Sequence, residues 1–205
     1  MKNFSRAYPQ AALCGLNCLL CPMCVGGYCP GCGGEGSQGC PRARCARDRG
    51  ITDFCFRCGE YPCGRYAGSG DYDSFVPTRC MEADMERIRT MGPEVYVAEL
   101  EKKRAILDEL LAEWNDGRKK SLYCAAVYLL DLESLRGTVE QVGNCVPGDA
   151  DRKERASRMA AALQEAAGAR NISLKLRKKP KQRQEMYALS DFLIMVFVMV
   201  SEAVT

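Results

Sequence analysis

The chain has 205 residues, 14 cysteines, no histidine and a formal net charge of +3. That length suits one domain or two small ones, and that charge is too small to imply a polyanionic partner by itself. Without histidine, zinc sites of the two-cysteine, two-histidine kind, histidine triads and histidine-based zinc hydrolases are all excluded, so any acid–base catalyst is a carboxylate, Lys, Tyr or Cys.

In chain order, the first stretch, Met1 to Leu13, carries Lys2 and Arg6 but no apolar run long enough for a signal peptide. The expected location is therefore cytoplasmic, where thiols stay reduced and clustered cysteines hold metal rather than form disulfides. Twelve cysteines then fall between Cys14 and Cys80. That segment is rich in Gly and Pro and shows no sustained helical or alternating period, which predicts loops and knuckles. Its apolar residues are few, among them Leu13, Leu16, Leu19, Leu20, Phe54, Phe56, Phe75 and Val76. So thin a core implies that metal supplies much of the folding free energy.

From Met81 onward the pattern turns helical. Gly92-Pro93 reads as a helix start, and Val97, Leu100, Leu107, Leu111 and Trp114 recur on one face of a helix over about 93–115. Asn115-Asp116-Gly117 ends it. A second helix is predicted over about 119–142, with Leu122, Ala125, Ala126, Leu129, Leu132 and Leu135 inward and an antiparallel packing on the first. A third, over about 151–167, presents Ala156, Met159, Ala160, Leu163 and Ala167. Residues 172–176 alternate apolar and polar, as a short strand does. The run Arg170 to Arg183 holds seven basic residues and no acidic one. It has no aromatic residue of its own to stack on bases, so a solvated face is expected rather than a nucleic-acid surface. Phe192 to Val200 is nine apolar residues, far short of the ~20 that span a bilayer. It predicts a buried terminal helix over about 184–203 or a homodimer contact, and no membrane segment. The expected fold is thus α+β or mostly α. A small irregular metal-stapled module, 1–80, packs on a helical part, 81–205, with at most one or two short strands.

The ligand candidates are Cys14, Cys18, Cys21, Cys24, Cys29, Cys32, Cys40, Cys45, Cys55, Cys58, Cys63 and Cys80. Two residues between cysteines let both sulfurs reach one ion at ~2.3 Å. A following Gly, present after Cys32 and Cys58, frees the backbone to turn. Taken in order, the twelve divide into Cys14/18/21/24, Cys29/32/40/45 and Cys55/58/63/80, though interleaved sharing is equally compatible with the spacing. Zinc, about three ions in closed four-cysteine tetrahedra, accounts for all twelve. Arg42, Arg44, Arg47 and Arg49 are either a solvated charge run or compensation for the negative sulfur charge. Iron–sulfur clusters of the 4Fe-4S type are the alternative. Cys18-x2-Cys21-x2-Cys24-x4-Cys29-Pro30 is one residue longer than the bacterial ferredoxin run, and Cys14-x3-Cys18-x2-Cys21 has the radical-SAM spacing. Cys124 and Cys145 read as small buried apolar residues.

Cys14-Gly15-Leu16-Asn17-Cys18-x2-Cys21, with Cys32, Cys40, Cys45, Cys55-x2-Cys58-x4-Cys63 and Pro62, resembles domain-of-unknown-function family 3795. These are Cys-rich proteins of bacteria and archaea, many from anaerobes. The resemblance extends through Asn115-Asp116-Gly117-Arg118-x-Lys120-Ser121 and spans about Cys14 to Val142. It implies a metal or iron–sulfur protein without an assigned reaction. Cys24 and Cys80 do not map onto its pattern. Arg118 and Lys120, at a helix start, are candidate anion contacts, although a plain helix-to-helix turn explains the same residues. Three classes follow: a zinc-organised structural or binding module, an iron–sulfur electron carrier or redox accessory, and an enzyme with an open cluster site.

Overall fold

In the computed structural model the described residues are 4–33, 35–37 and 39–180. Among them the secondary structure is wholly helical. Two short helices, α1 (Pro22–Val25) and α2 (Pro41–Asp48), interrupt the cysteine segment. Then follow α3 (Met81–Met91), α4 (Pro93–Glu113), α5 (Lys120–Leu129), α6 (Leu132–Cys145) and α7 (Arg152–Gly168). Pro22, Pro41 and Pro93 each begin a helix, where a missing N–H costs nothing. Gly92, at φ +87°, turns the chain between α3 and α4.

The helix α5 is the hub. Tyr123 through Tyr128 are all buried, because α4, α7, α1 and the turn Cys18–Leu20 surround it. α4 gives it Leu100, Ile106, Leu107 and Leu110, and α7 gives Met159, Ala160, Leu163 and Ala167. The Tyr123 hydroxyl donates to the carbonyls of Trp114 at 2.6 Å and Ala156 at 3.2 Å. It thereby joins the end of α4 to α7. Ala11, Leu20, Phe54 and Val76 from the cysteine segment enter this same core. The remaining apolar contacts of the cysteine segment form two small clusters. One comprises Phe4, Leu13, Ala43 and Ala46, and the other Ala12, Cys14, Tyr66 and Met81.

Four expectations need correction. The cysteine segment is not all loops: α2 forms because Pro41 starts it and Ala43 and Ala46 give it a buried face. The helix expected over 119–142 is two. It breaks at Leu130, which is extended, and restarts at Asp131, whose carboxylate caps α6 by accepting from the Ser134 N–H at 2.8 Å. The freed Leu130 carbonyl is satisfied by the buried Lys103 ammonium at 2.7 Å. Residues 172–176 are not a strand. Their burial does alternate, with Ile172, Leu174 and Leu176 half-buried between exposed neighbours. However, no second extended segment among the described residues pairs with them. The loop at Asp73 holds them instead: its N–H donates to the Arg177 carbonyl at 2.7 Å, and its fully buried carboxylate pairs with Arg79 and Arg177. Cys145 is exposed at the end of α6, whereas Cys124 is buried in α5.

The helix expected over 184–203, the apolar Phe192–Val200 and the end of the basic run lie outside the described residues. No helix among the described residues is long and apolar enough to cross a membrane.

Candidate metal centre

The segment Cys14 to Cys18 is shaped by what it packs on. Gly15 has φ +91°, and a Cβ there would lie 2.4 Å from the Met81 carbonyl oxygen, so only glycine fits against the start of α3. Asn17 is buried and tied into the helical part. Its backbone N–H donates to the Tyr128 hydroxyl at 3.3 Å, its amide to Asp84 at 3.2 Å, and its side-chain oxygen accepts from Tyr96 at 2.9 Å. Tyr128 also donates to Asp84, at 3.1 Å. Burial raises the Asp84 carboxyl, and the tyrosine hydroxyls partly offset that by stabilising its charge. On the opposite side the buried Arg6 donates to Ala11, Asp53 and Thr52 carbonyls. Its stem fills the space a Cβ on Gly33 would need. The loops carrying Cys14–Cys21, Cys29–Cys32 and Cys55–Cys58 are thus fixed by two buried polar anchors.

Two of the cysteine pairs share one backbone shape. In Cys18–Cys21 and Cys55–Cys58 a single 3-10 turn is closed by the second cysteine's N–H on the first one's carbonyl, at 3.0 Å in each. The second cysteine is extended in both, at φ −74°, ψ 133° and φ −79°, ψ 132°. The chain makes the same tight turn at both pairs.

All the cysteines are free thiols. Burial pushes the Cys14 thiol up to about 12 and raises Cys18 strongly. The thiols of Cys32, Cys14, Cys21 and Cys29 around Cys18 add to that rise. Cys24 has Arg104, Cys21 and Cys29 beside it. Burial also raises Cys24, so metal binding at Cys14, Cys18 or Cys24 would release a proton. Cys45, Cys55, Cys58 and Cys63 line one cavity of about 30 Å³ together with Tyr61, Tyr66, Arg42, Arg49 and Arg65. Cys80 lies elsewhere, in a cleft with Asp84, Arg87 and Lys103, with Asp84, Arg79 and Asp73 as its main charged neighbours. Cys40, at the start of α2, packs on the cluster of Phe4 and Leu13 and lies near Cys14. Among the described residues no three Cys, Asp or Glu side chains are already gathered around one metal position.

The arginine run divides. Arg47 pairs with Asp48 at 2.8 Å, in solvent. Arg49 donates to the Cys58 sulfur at 3.3 Å and to Glu60 at 2.8 Å. Arg42 lies over the Tyr66 ring at 4.9 Å and donates to the Arg65 carbonyl at 2.5 Å. The Tyr66 hydroxyl and the Arg42 Nε are buried and without a hydrogen-bond partner among the described residues. Such donors, left facing a pocket of sulfur, suit an anionic thiolate set. The cavity is the size of a single ion or one or two waters.

At the other candidate site, Arg118 is exposed, and Asn115 and Asp116 cap the turn by accepting from Gly117, Lys119 and Arg118 N–H groups. Lys120 reaches the cysteine segment instead: a Cβ on Gly26 would lie 2.9 Å from its ammonium. Sequence reasoning missed Tyr66, Asn17 and Arg104. Tyr66 carries no local signal, since its role depends on residues 24 positions away. Comparison of the chain with models of protein families, with curated proteins and with solved structures finds no match.

Proposed function

We propose that this chain is a zinc-binding protein. In this reading thiolate sites organise the residues from Cys14 to Cys80 into a structural or binding module seated on the helices. The observation that supports the reading is the 3-10 turn shared by Cys18–Cys21 and Cys55–Cys58, at the two-residue spacing that lets a pair of sulfurs reach one ion. The small cores around Phe4 and Ala12 support it, because they leave much of the segment's stability to be supplied by metal. The resemblance to domain-of-unknown-function family 3795 is part of the same reading.

A second reading, an iron–sulfur electron carrier, rests on the closeness of Cys21, Cys24 and Cys29, whose spacing approaches the ferredoxin run. The open-cluster enzyme is not carried further: its motif follows a strand in a partial parallel barrel, and no strand accompanies it among the described residues here.

The test is anaerobic purification with elemental analysis and an absorption spectrum on one sample. Zinc without visible absorption is the expected result, about three ions per chain if all twelve cysteines are ligands and about two if Cys80 is not one. Iron with sulfide and a broad visible band selects the second reading, and protein free of both metals rejects the two together.

A further inference from the structure

The cavity beneath α2 assigns ligands that the order of cysteines along the chain does not. Resting on the zinc reading above, we propose that Cys45, Cys55, Cys58 and Cys63 form one four-thiolate zinc centre, balanced by arginine, and that Cys80 is not a ligand.

Cys45 comes from the middle of α2, Cys55 and Cys58 from their 3-10 turn, and Cys63 from the turn that follows. All four line the same cavity, although no three of them stand around one metal position, so the centre closes only as zinc draws the sulfurs inward. Arg49 donates to the Cys58 sulfur at 3.3 Å, and Cys45 also acts on its charge. Four thiolates around Zn²⁺ carry a net charge of −2. Arg42, Arg49 and Arg65 line the cavity and Glu60 pairs with Arg49, which leaves two positive charges against it. The buried Tyr66 hydroxyl is 5% exposed as a residue and has no partner among the described residues. Cys55 is its principal polar neighbour, and a thiolate there would accept its hydrogen bond. A buried hydroxyl whose principal polar neighbour is the Cys55 sulfur, and a buried guanidinium Nε without a partner among the described residues, both at one cavity, favour an anion there. Ligation deprotonates the thiols, Zn²⁺ takes their place as the positive charge, and each proton leaves to solvent. No oxidant is needed. Cys80, by contrast, shares its cleft with Asp84, Glu99 and Lys103.

The experiment compares zinc content in the anaerobically purified wild type, Cys45→Ser and Cys80→Ser. The expected result is one zinc fewer in Cys45→Ser and wild-type content in Cys80→Ser. An unchanged count in Cys45→Ser, or a lost zinc in Cys80→Ser, overturns this grouping while leaving zinc binding intact. Wild type free of zinc overturns the parent reading, and iron with sulfide in its place overturns the ion named here. A second measurement does not depend on a variant folding. Wild-type holoprotein is alkylated with iodoacetamide while chelator strips its zinc, and labelled cysteines are located by mass spectrometry. Cys45, Cys55, Cys58 and Cys63 should become reactive as one block. Cys45 appearing with a different set rejects the centre.

Discussion

Gly15 is the residue on which the geometry of the first cysteine loop turns. Its positive φ and its contact with the Met81 carbonyl both forbid a side chain. Gly15→Ala should cost at least about 2 kcal/mol of stability, combining backbone strain with a clash against backbone that cannot swing aside. Urea denaturation of the two proteins measures this. A difference under ~0.5 kcal/mol, the level of an ordinary surface change, would mean that the loop does not sit on α3 as described. Asn17 shows why the neighbouring position is also restricted: one side chain and its N–H meet Tyr96, Asp84 and Tyr128, so no apolar residue of that size would satisfy all three.

At the scale of elements, the break between α5 and α6 rests on two polar groups, the Asp131 cap and the Lys103 ammonium on Leu130. The Ser134 hydroxyl, and then its N–H, hold the Asp131 carboxyl below the usual carboxylate range. The folded state therefore binds that proton less readily than the unfolded chain. The stability it contributes is fully present above the unfolded value of ~3.9 and is lost as pH falls through the lower folded value. Asp131→Ala should cost about 1 kcal/mol at neutral pH, the usual worth of a cap, and the gap should close once both states are protonated. Denaturation of both proteins at neutral pH and at a pH below both values gives the comparison. A gap that persists in acid would show that the carboxylate charge is not what caps α6.

Across the whole molecule, the two sets of residues are joined but unequally supported. α4, α5 and α7 share a large apolar core, while the cysteine segment has small clusters and a few residues reaching into that core. On the zinc reading, removing metal with a chelator should expose amides over about 12–66 to hydrogen exchange first. Those of α4, α5 and α7 should stay protected, because local opening follows the density of buried contacts. Exchange read by mass spectrometry checks this. Simultaneous loss of protection throughout would mean that metal and helices fold as one unit, and unchanged protection would argue against a metal-held segment.

The residue pattern alone determined that the protein is mainly helical and where several helices lie. The starts at Pro93 and near Asp151 were legible because caps and prolines act locally. So was the buried face of α7, because a 3.6-residue period survives whatever the helix packs against. The cap at Asp131 was missed, because the apolar period running through Leu129 and Leu132 carried the expected helix straight across it. Other features were decided only in three dimensions. Residues 172–176 have a strand's alternation, yet a strand needs a partner, and the fold supplies Asp73 instead. α2 was hidden because an eight-residue helix is too short to show a period and gains its stability from Ala43 and Ala46 against Phe4 and Leu13. The cysteines announced themselves by number and spacing, which are local. Which thiols can meet depends on loop closure, and the contacts of Arg6, Asn17 and Gly15 that hold those loops join residues too far apart in sequence for spacing to show.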